Sequence, residues 1–207
     1  MRSLFKQDDA FTGLEAAIVL IAFIVVAAVF SYVILGAGFF TTQKSQEVVH
    51  TGVQQASSSL EVIGNVYAIT TTSSDHLQYL KFTIGNTAGG TALDVSKMVV
   101  SYTDGKTRSA DVKYDDTSAD LVNALVGAAD TMDGTTGKEG KWGVIETINA
   151  NGNTLLEPGE QFVIGVSLPK STTVNTPFTV NLQPSVGAVF ALKKTVPAAI
   201  NPVNILY

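Results

Sequence analysis

Two hydrophobic rhythms divide the chain. Residues 16–40, AAIVLIAFIVVAAVFSYVILGAGFF, hold no charged side chain in twenty-five positions. A helix of that length reaches about 38 Å, more than the roughly 30 Å core of a bilayer. Past this run the periodicity changes but does not stop. In TTQKSQEVVHTGVQQASSSLEVIGNVYA, Val48, Val49, Val53 and Ala56, then Leu60, Ile63 and Ala68, recur at helical spacing. The pattern predicts one long helix over about residues 14–63, bent near Gly36 and Gly38, where the two glycines weaken it.

After Tyr67 the period shortens. Thr70–Ser74 is a polar break, and beyond it segments rich in Val, Ile, Thr, Phe and Tyr alternate with clusters of Gly, Asn and Asp. The expected strands are Leu77–Ile84, Val95–Tyr102, Gly143–Ile148, Gln161–Leu168, Thr176–Gln183 and Val189–Val196. LQYLKFTIGN and EQFVIGVSL alternate with period 2, as half-buried strands do. ADLVNALVGAA, residues 119–129, has helical spacing and reads as a short inserted helix. The sum is an α+β chain: a long hydrophobic N-terminal α-helix, then an immunoglobulin-like antiparallel β-sandwich head domain. The expected division is a leader at 1–10, a helical segment at 11–68 and the β domain at 69–207. A fragment starting near Ser73 is expected to fold as a soluble monomer.

Composition narrows the function classes. The chain has 207 residues, 45% hydrophobic and only 15% charged, well below the quarter usual in soluble domains. That leaves little charge to cover a surface and points to a membrane segment or an extensive buried interface. A formal net charge of −5 argues against a nucleic-acid partner, because nothing would neutralise phosphates. With no cysteine, disulfides, zinc–cysteine sites and thiol nucleophiles are excluded.

The leader MRSLFKQDDA is polar and carries Arg2, Lys6, Asp8 and Asp9. An ordinary secretory signal fits poorly, since the apolar run is too long and no small-x-small site leads into a polar start. A plain signal anchor is physically adequate but leaves Glu15 unexplained, a carboxylate at the edge of a bilayer-length helix. Cutting between Ala10 and Phe11 would place a new ammonium group four residues before Glu15. Both the ion pair and the helix dipole then favour the carboxylate.

FTGLEAAIVLIAF resembles the start of a type IV pilin-like subunit with a class III signal peptide, and IVLIAFIVVAAVFSYVILGAGFFTTQKSQEV is similar to archaeal flagellins (archaellins), most typically at Val25–Val29. The likeness is strong over about residues 5–60 and architectural beyond. The sequence departs from the family in carrying Asp9-Ala10, rather than a basic residue and glycine, before the cut. Cleavage after Asp9 or after Gly13 therefore stands beside cleavage after Ala10. The resemblance implies a prepilin-type peptidase as processing partner and a membrane-inserted precursor. Its mature product is an extracellular helical homopolymer, with other archaellins as candidate co-subunits, that turns as the propeller of a swimming cell. Glu15 and Ile18 open the implied assembly helix, Val26 adds apolar surface, and the small residues Ala16, Ala17, Ala22, Ala27, Ala28 and Gly36 allow close helix approach. An adhesive pilus subunit and a membrane-anchored binding domain are the competing readings.

Signals for other chemistry are sparse. His50 and His76 are the only histidines, too few for a triad or a zinc site. Asn149, Asn151 and Asn153 followed by Glu157 have the alternate-position oxygens of a calcium loop, yet Asn and Gly are also what a tight turn needs. Calcium is thus the one candidate cofactor; otherwise none is expected. Asp111, Asp115 and Asp116 read as a solvated loop, and Trp142 as a core or subunit contact. No Asn-x-Ser/Thr acceptor for N-linked sugar occurs. The expected protein is not an enzyme.

Overall fold

A computed structural model describes residues 5–57, 59–70, 75–87, 90–116 and 120–207, with helix side chains from residue 13 through 55. The chain separates into two compact units at Thr51–Gly52.

The first unit is carried by α1, Phe5–Ser57. Its backbone runs unbroken through Gly36 and Gly38. Just beyond them the Thr41 and Thr42 hydroxyls donate back to the Ala37 and Gly38 carbonyls at 2.8 and 2.9 Å, a pattern that bends helices slightly. The helix is shorter at its C-terminal end than its apolar spacing predicts. It stops at Ser57, and Leu60–Ile69 forms the first strand, β1. The helical spacing of Leu60, Ile63 and Ala68 arises from a β-bulge. Gly64 takes φ +78°, and the ladder shifts register between Ile63 and Tyr67, so strand alternation is broken in the middle.

The second unit is the β domain. Its further elements are β2 Tyr79–Asn86, β3 Leu93–Asp94, β4 Val99–Asp104, β5 Arg108–Tyr114, α2 Leu121–Ala129, β6 Lys141–Ile148, β7 Leu155–Leu156, β8 Gln161–Ser167, β9 Pro177–Gln183, β10 Phe190–Thr195 and β11 Val203–Leu206. The six expected strands and the inserted helix are present with small shifts; Val95–Lys97 is a 3-10 turn leading into β4 rather than part of the strand. The domain boundary expected at 69 lies earlier. Thr70 is already buried, its N–H donating to the Pro202 carbonyl, while the remaining break residues 71–74 lie outside the described residues.

Nine strands run in the order β10-β9-β4-β5-β6-β8-β2-β1-β11, and β3 and β7 form a separate pair. Every neighbouring pair is antiparallel except β5–β6, which pairs in parallel over only Lys113↔Lys141 and Tyr114↔Trp142. That short joint is where the sheet folds: strands on both sides of it contribute to one hydrophobic core, from Phe82, Ile84, Phe162 and Ile164 to Val100, Phe178, Val180 and Leu182. The two ends of the strand order also approach. Tyr207, just after β11, lines a surface groove with Phe178 of β9 and Lys193 and Lys194 of β10.

Residues directly opposite one another in a ladder share a sheet face. Trp142, Val166, Leu80, Ala68 and Asn204 form one row across β6, β8, β2, β1 and β11, and all five are buried against the core. The adjacent row is Gly143, Gly165, Lys81, Tyr67 and Ile205, on the outer face. Over its first two positions this outer face is covered by α2. A Cβ on Gly165 would sit 2.5 Å from Leu125 Cδ1, and one on Gly143 2.8 Å from Leu121 Cδ2. The Asp120 side chain caps α2, accepting from the Asn123 N–H.

Candidate assembly site

The uncharged run defines the site. Over Gly13–Gln55 the helix is long and apolar enough to cross a membrane, with a mean hydropathy of 3.1 in its most apolar window. None of that window is buried within the single chain. Ile18, Phe23, Val26 and Phe30 are each 60% exposed or more, so apolar side chains stand free around the helix rather than along one stripe. An all-round apolar helix is a buried or membrane helix in its functional setting. On one face the small side chain of Ala27 sits between Phe23 and Phe30 in a shallow groove bordered by Val26, Ile34 and Leu35. Such a groove receives a bulky side chain from another helix.

Ala16, Ala17, Ala22, Ala28 and Gly36 are likewise exposed along α1. Glu15 is exposed, two residues into the described side chains. The Ala10–Phe11 junction lies within the helical backbone but outside the residues whose side chains are described.

From Gln43 onward the helix becomes amphipathic. Gln43, Gln46, Glu47, His50 and Thr51 cluster on one side, and Lys44 pairs with Glu47 at 2.6 Å. His50 therefore stands among solvated polar groups. His76 is nearly buried at the entrance to β2, with Nδ1 3.3 Å from Asp75 and Nε2 3.6 Å from Asp130 at the end of α2. Hydrogen bonding to His76 holds the Asp75 carboxyl below its usual range.

The asparagine loop closes on itself. Asn151 Oδ1 accepts the Asn153 N–H at 3.1 Å, and Asn153 Oδ1 accepts the Leu155 N–H at 2.9 Å. Asn149 takes φ 56°, a turn conformation that Asn tolerates. Glu160, which the sequence pattern passed over, is the group that gathers the loop: its two oxygens accept the Asn151 and Glu157 N–H groups, both at 3.1 Å. Asp111, Asp115 and Asp116 do not act as one cluster. Asp111 pairs with Lys113, whereas Asp115 is buried and pairs with Lys141 at 2.7 Å, which ties β5 to β6 at the parallel joint. Among the described residues no group of three or more His, Asp or Glu converges as a metal site would require. Trp142 is a core residue, 1% exposed and tilted against Tyr114 with ring centroids 4.7 Å apart.

A buried polar cluster also went unread in the sequence. The Tyr102 hydroxyl donates to Asp104 Oδ2 at 2.7 Å and meets Thr172 Oγ1 at the same distance. Ser171 donates to the same carboxylate oxygen at 2.6 Å, and Asp104 Oδ1 accepts the Lys106 and Thr107 N–H groups. Burial opposes ionisation of Asp104, but these donors outweigh it and hold its carboxyl below the usual range. Burial pushes the Tyr102 phenol far above its ordinary value. Ser171 and Thr172 lie more than sixty residues from Asp104 and Tyr102, so no local sequence pattern announces the cluster.

Comparison with known proteins places this geometry. The family model for archaeal-type flagellin matches residues 10–193. The chain is 36% identical over 207 residues to a probable flagellin of Archaeoglobus fulgidus, covering 97% of this chain and 96% of that one. It superposes on a subunit of the archaeal flagellum of Methanospirillum hungatei with a TM-score of 0.68 and 30% identity, over 94% of this chain and 99% of the other. A crystal structure of a flagellin from Methanocaldococcus jannaschii shares the fold, at TM-score 0.53 and 19% identity, over 72% of this chain and 96% of that one.

Proposed function

The chain belongs to the archaeal-type flagellin family and is a structural subunit of an extracellular archaeal flagellar filament, and from that premise we propose how it assembles. The precursor sits in the membrane through α1, solvated by lipid. A prepilin-type peptidase removes the leader, with Ala10–Phe11 as the favoured junction and Asp9 or Gly13 as alternative ends. The helix then leaves the membrane and can satisfy its apolar surface only against copies of itself. At about 25 cal/mol per Å² this burial is worth on the order of tens of kcal/mol per subunit before entropy is deducted. The product is a bundled helical core sheathed by β domains, turned as a swimming propeller. No catalytic step is assigned to this chain.

The observation that supports this reading is the uncharged stretch of α1, bare on every side in the single chain. Small residues at 16, 17, 22, 27, 28 and 36 permit close approach, and Glu15 near the new amino terminus neutralises it once the helix is packed. The deciding experiment is N-terminal sequencing and intact mass of sheared surface filaments. A start at Phe11 or within three residues of it, in abundant filament material, is the expected result. An uncut Met1 start confined to membranes would replace assembly with simple anchoring.

A further inference from the structure

The asparagine loop between β6 and β7 holds an arrangement that can act on itself. Asn151 is the one asparagine of the chain with glycine after it. Both residues are exposed, and Gly152 takes φ +89° with nothing within 4 Å of where a Cβ would stand. A side chain there would crowd its own backbone nitrogen, whereas glycine leaves that nitrogen open. Among the described residues no hydrogen bond engages the Gly152 N–H.

The Asn151 carboxamide is folded toward this nitrogen. Its Oδ1 accepts the Asn153 N–H at 3.1 Å, a turn that lays the side chain back along the peptide units that follow it. The Asn151 N–H is fixed on Glu160 Oε1 at 3.1 Å, and Glu160 is buried, so the backbone is anchored while the carboxamide meets water. The Asn153 N–H is a donor on the oxygen that gains negative charge when a nucleophile adds to the carboxamide carbon. The nucleophile held closest by the covalent chain is the Gly152 nitrogen, whose attack closes a five-membered ring.

The two Asp-Gly pairs of the chain lack this combination. At Asp133-Gly134 the glycine N–H donates to the Lys138 carbonyl at 3.2 Å, and hydrogen bonds from Thr135 and Lys138 hold the Asp133 carboxyl down at about 2. At Asp104-Gly105 the carboxylate is taken up by Tyr102, Ser171 and the Lys106 and Thr107 N–H groups. An ionised carboxylate resists addition; the neutral Asn151 carboxamide does not.

We propose that Asn151 is a self-modification site, converted to aspartate and isoaspartate by attack of the Gly152 nitrogen on its carboxamide carbon. Hydroxide takes the Gly152 amide proton as the new C–N bond forms. The carboxamide C–N bond then breaks, and the departing nitrogen takes a proton from water and leaves as ammonia. One water opens the cyclic imide, at the side-chain carbonyl to give aspartate or at the main-chain carbonyl to give isoaspartate. No oxidant or reductant takes part. Either product puts a permanent negative charge beside the buried Glu160 carboxylate, and the modified fraction rises with the age of the subunit. The chemistry belongs to the loop and does not depend on the filament reading above.

The test keeps the full-length chain, folded in detergent, in mildly alkaline heavy-oxygen water for weeks and then digests it with trypsin in ordinary water. Trypsin releases the loop in one peptide, Trp142–Lys170, which carries Asn149 and Asn153 as internal references. Heavy oxygen in that peptide marks conversions that precede digestion, and Trp142 fluorescence reports that the head stays folded throughout. Residue 151 is expected to take up heavy oxygen at least tenfold faster than residues 149 and 153, as isoaspartate and aspartate together, and faster as pH rises. Gly152→Ala is expected to slow the conversion at least tenfold. Because alanine is strained at φ +89°, Asn151→Gln, whose ring would need six members, is held to the same expectation. An unlabelled Asn151, aspartate without isoaspartate, or an undiminished rate in either variant would overturn the proposal.

Discussion

Gly143 and Gly165 stand directly opposite each other in the β6–β8 ladder, and the ends of Leu121 and Leu125 fill the space their missing Cβ atoms leave. The pair works as a notch in the sheet, and it decides where α2 can sit. Adding a methyl at Gly165 would meet Leu125 and Ile145 side chains at 2.5 and 2.7 Å, which can yield; at Gly143 it would meet the Asp115 backbone carbonyl at 2.6 Å, which cannot. Both substitutions to alanine are expected to destabilise the β domain, Gly165→Ala by about 1–2 kcal/mol and Gly143→Ala by about 3 kcal/mol or more. Thermal unfolding followed by Trp142 fluorescence ranks them. Equal and negligible effects would mean α2 is not seated by the notch.

The position of β1 makes a sharper prediction about where the head begins. β1 lies between β2 and β11, and Leu60, Val66 and Ala68 enter the core. A fragment beginning near Ser73 would strand β11 without its partner and remove those three side chains. At about 2–4 kcal/mol for each large apolar group lost, that exceeds what a domain of this size can spare. The fragment Gly52–Tyr207 is expected to give a cooperative melt and dispersed amide resonances, and the fragment from Ser73 to aggregate or remain unfolded. A folded Ser73 fragment would show that β1 is an accessory strand.

How far the sequence announces this structure follows from what hides each element. The membrane-length helix is legible because nothing else explains twenty-five uncharged positions. Strands β2, β8 and β9 are legible because alternation and β-branched residues coincide. β1 was hidden by the bulge at Gly64, which converts a period of 2 into an apparent helical spacing. β5, RSADVKY, was hidden because only Ser109 and Val112 face the core, and β11 because it is four residues long after a proline. The asparagine spacing was visible, but Glu160, the carboxylate that closes the loop, stands at the wrong offset for the cation motif. Nothing local to Asp104 announces its contact with Ser171, which is distant in the chain.

Asp104 supplies an acid-dependent prediction. Its folded pKa lies below the ordinary value of 3.8, because the hydrogen bonds it accepts outweigh its burial. A depressed carboxylate stabilises fully above the unfolded pKa, and the contribution is lost as pH falls from 3.8 through the folded value. The β domain should therefore lose stability on that acid limb. Asp104→Asn should cost about 2 kcal/mol at neutral pH, where hydrogen bonds to a charged acceptor are lost, and should flatten the limb. Melting temperature against pH for both proteins is the measurement; parallel curves would remove Asp104 as the cause.

Glu15 tests the assembly model at its start. The side chain is exposed on α1, four residues after the expected new amino terminus at Phe11. In the apolar core of a bundle an unpaired ammonium group is costly, and a carboxylate one helical turn away offsets that cost. Glu15→Ala is therefore expected to reduce filament yield at least tenfold while the head domain stays folded, since that domain is a separate compact unit with its own core. Glu15→Asp keeps the charge on a shorter arm and should retain part of the yield. The readouts are filament mass per cell by electron microscopy and shearing, and the ratio of cut to uncut chain in membranes. Accumulation of cut subunits in the membrane would place the defect in assembly, and accumulation of uncut precursor would place it in processing. Wild-type filament yield from Glu15→Ala would show that the new terminus is neutralised by another group, and the role assigned to Glu15 would fall.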